Sequence, residues 1–160
     1  MTIAAERVTI WPNPDWTDNP LRHYLIVLSL YLCAACVSAD PQVELNGERF
    51  TVELSTTPKQ QALGLMFRDS MPEDHGMLFI FPSEATRSFW MKNTRIPLDI
   101  FYFDADLKLV SVSENARPCR VAQCPSFLSA GPARYVLELN AGKAAELGTK
   151  PGDELLLDLE

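Results

Sequence analysis

The sequence has few of the residues that make catalytic, metal and phosphate sites recognisable. It has two histidines and four cysteines, and no serine or cysteine lies in a recognisable catalytic neighbourhood, which argues against a catalytic triad. We therefore expect no metal and no cofactor. Basic residues are also scarce, with 14 Lys and Arg against 21 Asp and Glu. The resulting net charge of -7 argues against nucleic-acid binding, because affinity for phosphates depends on clustered Lys and Arg.

Long apolar runs are absent except near the N-terminus, where residues 24–37 form an uncharged stretch of 14 residues. This stretch is shorter than the ~20 residues that cross a bilayer and is typical of the core of a signal peptide. Arg22 precedes it, and residues 37–39, VSA, supply the small side chains of a cleavage site. We therefore expect a signal peptide over about residues 22–39, with export to the periplasm or cell envelope.

Three alternatives for this stretch stay open: a retained membrane anchor, a buried core helix, and a lipoprotein lipidated at Cys36. Residues 1–20 carry acidic side chains and are neither short nor basic, which departs from ordinary signal peptides. The stretch divides the chain into an N-terminal extension with its signal peptide, 1–39, and a single domain, 40–160. The domain is long enough to bury a core of its own.

A helix is predicted early in the domain. Thr57 can cap it, Pro58 suits its first position, and Gln60 completes a capping box. We expect the helix to run from Pro58 to about Phe67. Gly64 inside it indicates that an aromatic ring or a backbone segment packs closely there. The residues expected to face inward are Ala62, Leu65 and Met66.

The other signals in the domain predict strands. Asn46-Gly47 separates two alternating runs and is typical of a tight hairpin turn. Residues 77–81, MLFIF, are apolar throughout, as in a strand that is covered on both faces. The densest apolar run, residues 86–104, predicts two neighbouring strands joined by a turn at 93–97. About eight short strands and two short helices, without a βαβ rhythm, favour a mainly β fold of the sandwich or barrel type.

Several segments together resemble one known family. The segments GLMFR, GMLFIF, FWMKNTRIPLDIFYFD, a Pro-Cys followed by a second Cys, YVLELNAG and PGDEL stand in the order typical of the domain of unknown function 192 family of bacteria and archaea. The resemblance covers about residues 43–159. It implies a compact β-sandwich-like fold that is commonly preceded by an export signal. It implies no reaction, since none is established for the family.

Trp90 and Lys92 are predicted to share one face of a strand. If that face is open, the indole and the ammonium group form a platform for a sugar ring, an aromatic group or an anion. If a helix covers the face, Trp90 is a core residue and Lys92 extends from its edge. The residues leave both interpretations open.

Asp99 stands beside Phe101 on a face that we expect to be buried, so its carboxylate needs a partner. The candidates are Arg68, Lys92 and Arg95. The resulting pair is either structural or, with Arg68, the lining of a small polar pocket that orients a ligand.

Four further polar residues have simple structural interpretations. Asn93 and Thr94 are turn formers or, alternatively, hydrogen-bond a ligand at the end of a strand. Glu138 is interpreted as an outward strand residue and Asp153 as a turn residue. A glycosidase pair made of these two carboxylates would need a cleft that the sequence cannot show.

Cys119 and Cys124 are the two cysteines of the domain, with four residues between them. In an oxidising compartment we expect them to form a disulfide across a short loop. A redox-active pair and a metal site are the alternatives, although the spacing fits neither a thioredoxin-like motif nor a paired zinc site.

Three functions are consistent with these features. The favoured one is a non-catalytic binding or accessory protein of the cell envelope, whose partner is a small molecule or an envelope component. The second is a small hydrolase-type enzyme that uses Asp99 with Arg68 or Lys92. The third is a structural partner in an envelope protein complex. The candidate ligand-binding residues are Arg68, Trp90, Lys92, Asn93 and Asp99.

Overall fold

The computed structural model describes residues 40–159, which form a seven-stranded sheet and two short helices. In chain order the elements are β1 (Gln42–Leu45), β2 (Glu48–Ser55), α1 (Pro58–Leu63), β3 (His75–Trp90), β4 (Leu98–Phe103), β5 (Leu109–Ala116), β6 (Ser126–Asn140), α2 (Lys143–Leu147) and β7 (Leu155–Asp158). The mainly β prediction is confirmed, and the sheet curls into a half-barrel. The expected signal peptide lies outside the described residues. Within residues 40–159, no helix has the length and apolar character to cross a membrane.

The strands lie in the order β5-β4-β6-β3-β2-β1-β7. All neighbours are antiparallel except β2 and β3, which run parallel. Because β6 lies between β4 and β3, it pairs with both, with β4 over residues 135–140 and with β3 over most of its length. Glu138 of β6 stands opposite Ile100 of β4 and Met77 of β3. This glutamate therefore occupies the middle of the sheet.

Alternate side chains of the strands form two buried apolar clusters, one on each face of the sheet. The first cluster includes Val43, Leu45, Phe50, Leu78, Phe101, Phe103, Leu137 and Leu139. The second cluster includes Leu65, Met77, Phe79, Met91, Leu98, Ile100, Tyr102 and Val136. β4 contributes to both, so all six of its residues are buried. Each fully buried large apolar side chain stabilises the fold by about 1.5–3 kcal/mol.

The turn between β1 and β2 is the predicted one. Leu45 pairs with Glu48, and the two residues between them have positive φ angles, 51° for Asn46 and 85° for Gly47. Asn-Gly adopts this left-handed conformation at low cost, and its twist matches that of the flanking strands. The hairpin prediction is confirmed.

Helix α1 begins as predicted but ends sooner. Thr57 and Gln60 form the capping box in both directions, which confirms the start. The helix ends at Leu63 instead of near Phe67, because Gly64 follows with a φ of 48°. Of the side chains expected to face inward, Leu65 is buried, Met66 is partly buried and Ala62 is exposed.

Close packing at Gly64 is confirmed. A Cβ placed on this residue would lie 3.3 Å from the Phe79 ring and 4.0 Å from Oε2 of Glu138. The first distance is tighter than an ordinary van der Waals contact, so the ring occupies the space that a side chain would need. The glycine thus allows the chain after α1 to approach the second cluster.

The prediction that residues 86–104 form two neighbouring strands is wrong. The first strand is part of the long β3, the second is β4, and β6 lies between them. A hairpin needs only a short turn, whereas residues 91–97 form a crossover in which Met91 and Ile96 are buried. Burial of these side chains in the second cluster favours the crossover over a tight turn.

Asp99 is buried, as expected, but the prediction of a cationic partner is wrong. Its Oδ1 accepts a hydrogen bond from the backbone N–H of Asn115 at 2.7 Å. Its Oδ2 accepts from Gly142 at 2.9 Å and from Ala144 at 2.8 Å. Hydrogen bonds from several backbone N–H groups can stabilise a buried carboxylate without a counter-charge. Asp99 therefore joins β4 to the end of β5 and to the start of α2.

The disulfide prediction is confirmed, since Cys119 and Cys124 are bonded with an S–S distance of 2.10 Å. The backbone N–H of Cys119 donates to the carbonyl of Met91 at 3.1 Å, and Cys119 forms an isolated bridge with Lys92. The disulfide loop is therefore attached to the crossover that follows β3.

Replacing Asp99 with alanine is expected to destabilise the protein by about 3 kcal/mol or more, because three backbone donors would lose their acceptor in a buried site. The free energy of unfolding from urea denaturation of the full chain measures this loss. Asp106→Ala is the control, since this exposed aspartate should change stability by no more than about 0.5 kcal/mol. Equal effects of the two substitutions would contradict the assigned role of Asp99.

Replacing Cys119 and Cys124 with serine is expected to lower the free energy of unfolding by about 2 kcal/mol, because that is the loop-entropy value for a disulfide that closes so short a loop. Cys119 is attached to the crossover and packs at the margin of the second cluster, whereas the strands pair with one another without it, so the sheet itself should be retained. Urea denaturation and far-ultraviolet circular dichroism of the oxidised protein and the double variant give the two measurements. Loss of the β spectrum at neutral pH would show instead that the sheet requires the disulfide.

Candidate functional site

Trp90 and Lys92 lie together, at the end of β3. The Trp90 side chain is 49% exposed, so the interpretation of this residue as part of the core is wrong. The Lys92 Nζ lies 5.3 Å from the centroid of the indole ring, within the range of a cation–π interaction. Lys92 is exposed and forms no ion pair with another residue of 40–159. Its ammonium group is therefore available at the surface beside an aromatic ring.

Arg68 does not meet Asp99. Its guanidinium group binds both carboxylate oxygens of Glu53, with Nη2 at 2.7 Å from Oε2. The hydrogen bond from Arg68 holds the pKa of Glu53 below its usual value. Because both side chains are partly exposed, this pair adds little stability. The small polar pocket predicted for Arg68 and Asp99 does not form in the described part of the chain.

Asn93 behaves as a turn residue. Its φ of 60° is left-handed, a conformation that asparagine tolerates better than most residues. Its carbonyl accepts from the backbone N–H of Phe67 at 2.8 Å. This bond joins the crossover to the segment after α1. An open hollow of about 280 Å³ lies at this junction, lined by Phe67, Asn93, Thr94, Arg95, Cys119 and Arg120.

Glu138 is the residue that the sequence interpretation missed, and the expectation that it faces outward is wrong. It is 5% exposed, and its strand position places its side chain on the face of the second cluster, with Val136. Among residues 40–159, no hydrogen bond reaches its carboxyl group. Burial raises the pKa of Glu138 to about 8, because the ionised form loses the solvation that water would give it.

The Glu138 carboxyl group lies at a narrow opening, which we call the Glu138 cleft. The cleft has a volume of about 30 Å³, enough for one or two water-sized groups. It is lined by Gln61, Ala62, Leu63, Gly64, Leu65, Met66, Phe79, Phe89, Trp90, Thr94 and Glu138. Two of these, Leu63 at 52% and Trp90 at 49%, are large apolar residues that remain exposed. Solvent therefore reaches the cleft past an apolar rim.

One other titratable side chain of the second cluster is affected by Glu138. Tyr102 of β4 has a pKa raised by burial and, to a smaller extent, by the charge of Glu138. Its hydroxyl donates to the carbonyl of Phe127 at 2.9 Å, so its proton is not available for a hydrogen bond to Glu138. Among residues 40–159, no group of three His, Cys, Asp or Glu is placed to hold a metal ion.

The Glu138 carboxyl group can act in two ways. In its neutral form it donates one hydrogen bond and accepts others, and in its ionised form it is an acceptor that lacks a counter-charge. Both forms are costly to bury without a partner. A ligand group that entered the cleft would therefore gain an interaction that the protein itself does not make.

The burial of Glu138 predicts how stability varies with pH. Its pKa rises from the ordinary glutamate value of 4.5 to about 8 in the folded protein, so the folded state keeps a proton that the unfolded chain releases. The stabilising contribution is complete below about pH 4.5 and is lost as the pH rises through 8, by about 1.4 kcal/mol per unit and roughly 5 kcal/mol at most. Glu138→Gln should remove this dependence and be the more stable protein at about pH 9.

Urea denaturation of the full chain between about pH 5 and 9 tests the prediction. Glu114→Gln is the matched control, because this exposed glutamate of β5 undergoes the same change of charge outside the cleft. Its stability curve should follow that of the wild type. A Glu138→Gln curve that also ran parallel to the wild type would contradict the burial of an unpaired carboxyl group.

Comparisons with known proteins agree with this fold. The family model DUF192, described as an uncharacterized ACR, matches residues 41–157, and no curated protein matches the chain. A crystal structure of a candidate transcription regulator from Sinorhizobium meliloti 1021 is 41% identical, with a TM-score of 0.68 over 74% of this chain and 94% of that one. A protein of unknown function from Novosphingobium aromaticivorans DSM 12444 is 38% identical, with a TM-score of 0.65 over 76% and 89%. The chain therefore belongs to the family of domain of unknown function 192.

Proposed function

We propose that this protein is a non-catalytic binding protein of the cell envelope and that the Glu138 cleft is its ligand site. One observation carries the proposal: a carboxyl group that is almost fully buried has no hydrogen-bond partner among the described residues and lines an opening beside an exposed tryptophan. Buried polar groups are normally paired within the protein. An unpaired one at an opening marks a place where a ligand completes the interaction.

A structural role for Glu138 is the weaker explanation. The side chains around it are mostly apolar, and a leucine or methionine would fill such a site without the cost of burying a carboxyl group. Proteins commonly accept such local costs where a site has a function. Asp99 shows the contrast, since each of its carboxylate oxygens already accepts a backbone hydrogen bond, which gives it a structural role.

Trp90 supports binding at the same place. An exposed indole beside an ammonium group offers a flat apolar surface with a charged edge, which suits sugar rings, aromatic groups and anions. Leu63 and Trp90 extend this surface around the mouth of the cleft. A ligand could therefore place its body on the rim and a small polar end inside.

Two features support the envelope as the compartment. The apolar stretch at residues 24–37 is typical of an export signal, and a disulfide between Cys119 and Cys124 is stable in an oxidising compartment. The description of the Sinorhizobium meliloti relative as a candidate transcription regulator would need a surface that attracts nucleic acid. The net charge of -7 argues against that role for this chain.

The proposal is tested with soluble fragments of bacterial cell-wall peptidoglycan, released by lysozyme. In the full chain with Trp11→Phe and Trp16→Phe, Trp90 is the only tryptophan, so its fluorescence reports on the cleft. We expect a saturable change in fluorescence on titration. Calorimetry should then show that Trp90→Ala weakens binding at least about tenfold, which corresponds to about 1.4 kcal/mol.

Phe67→Ala is the matched control. Phe67 is as exposed as Trp90, at 54%, but it lines the neighbouring hollow and not the Glu138 cleft. Its replacement should leave binding unchanged. Absence of saturable binding, or equal losses in the Phe67→Ala and Trp90→Ala proteins, would overturn the proposed site.

A further inference from the structure

Building on the proposed function, we infer that the Glu138 cleft receives the primary ammonium end of its ligand, and that Lys92 binds an anionic group of the same ligand at the rim. The ligand class is then an amino acid, a peptide or a related zwitterion that presents an aliphatic amine. Three features of the cleft carry this inference: its uncompensated acid, its small size and aromatic walls, and the position of Lys92 beside the tryptophan of its rim.

The first feature is the missing counter-charge. The other residues that line the cleft carry no formal charge, and on the neighbouring strand Tyr102 is a neutral phenol whose hydroxyl is already bonded. Arg68 is bound to Glu53 and Arg95 to Asp69 at 2.8 Å, and Lys92 lies at the tryptophan of the rim but does not line the cleft. A ligand cation would therefore supply the charge that the described part of the protein does not.

The second feature is size. A volume of about 30 Å³ admits an ammonium group with its first methylene, because each of these is close to the size of a water molecule. A trimethylammonium group has four heavy atoms, which exceeds the one or two water-sized groups that the cleft can hold. The rings of Phe79, Phe89 and Trp90 line the same space, and aromatic faces attract cations. The cleft therefore favours a primary ammonium group over a quaternary one.

The third feature is Lys92. Its Nζ lies 5.3 Å from the centroid of the Trp90 ring, and the Lys92 residue is exposed. A free lysine at this place repels a ligand that carries only positive charge, although water and salt weaken the repulsion. A ligand that also carries a carboxylate gains a partner there. Charge at the rim therefore selects zwitterions among the amines that fit the cleft.

Binding of an ammonium group requires Glu138 to be ionised. In the free protein burial raises its pKa to about 8, so near neutral pH the carboxyl group must release its proton to solvent as the ligand enters. The affinity for an amine should accordingly rise by about tenfold per pH unit below 8 and then stay constant until the amine itself loses its proton near ~10. A neutral ligand that uses the protonated acid would show the opposite trend.

Three simple probes separate these cases in NMR titrations of the full chain: n-butylammonium, n-butanol and n-butyltrimethylammonium. We expect n-butylammonium to shift the resonances of residues around Gly64 and Trp90, with an affinity that rises from about pH 6 to 8. At about pH 8, Glu138→Gln should weaken this binding at least about tenfold, whereas Glu114→Gln should not change it. The other two probes should bind at least about tenfold more weakly.

The opposite result is equally clear. If n-butanol binds more tightly than n-butylammonium, or if the affinity for the amine is independent of pH and of Glu138, the ammonium inference is wrong. If none of the three probes binds, it is wrong as well. The proposed function is tested separately by the titration of wall fragments with Trp90→Ala. If wall fragments bind but the amine probe does not, the protein is a binding protein and only the ammonium inference is wrong.

The role of Lys92 has its own test. The zwitterion 5-aminopentanoate should bind more tightly than n-butylammonium to the wild type, and Lys92→Ala should remove that difference while leaving n-butylammonium bound at least as well. An advantage of the zwitterion that persists in Lys92→Ala, or that is absent in the wild type, would remove Lys92 from the site and leave the ammonium group in place.

Discussion

The structure depends on how Asp99 is bound. Asp99 belongs to β4, its side chain lies on the face of the first cluster, and three backbone N–H groups donate to its carboxylate, one at the end of β5 and two at the start of α2. Strand β6 ends at Asn140, two residues before the donor Gly142. Asp99 pairs with Leu139, and its neighbour Ile100 pairs with Glu138. The residue that joins β4 to β5 and α2 is therefore adjacent to the strand position that carries the unpaired acid.

Two buried carboxyl groups thus lie one register position apart, with opposite surroundings. Asp99 faces the first cluster and is saturated by hydrogen bonds, while Glu138 faces the second cluster and has none within residues 40–159. The first arrangement adds stability, since each buried donor finds an acceptor. The second removes stability and is tolerable only because a neutral acid is cheaper to bury than a charge. This difference distinguishes the structural acid Asp99 from Glu138, the acid that we propose to bind a ligand, more clearly than residue type or exposure does.

Local features of the fold could be predicted from the sequence, and features that depend on distant contacts could not. The turn at Asn46-Gly47 and the cap at Thr57 are confirmed, because each is set by residues within a few positions of one another. The close packing at Gly64 is also confirmed, but the sequence could not identify its partners, because Phe79 and Glu138 are distant in the chain. The predicted pairing of β3 with β4 was wrong, because strands that are adjacent in the chain need not be adjacent in a sheet.

Trp90 and Lys92 lie together, as predicted from the sequence. The backbone donors around Asp99 could not be predicted, because any residue except proline has a backbone N–H group. Glu138 could have been noticed as the one charge in YVLEL, a run otherwise suited to complete burial.

Gly64, the glycine after α1, leaves space beside Phe79 and Glu138. A methyl group at this position would press on the ring of Phe79 and extend toward the oxygen of Glu138, in a backbone conformation that other residues rarely adopt. The entrance is therefore kept open by the smallest residue in the genetic code. A larger residue at this position would fill the space beside Phe79 and Glu138 without touching the pairing of the strands, so the opening and the sheet can be altered independently of each other.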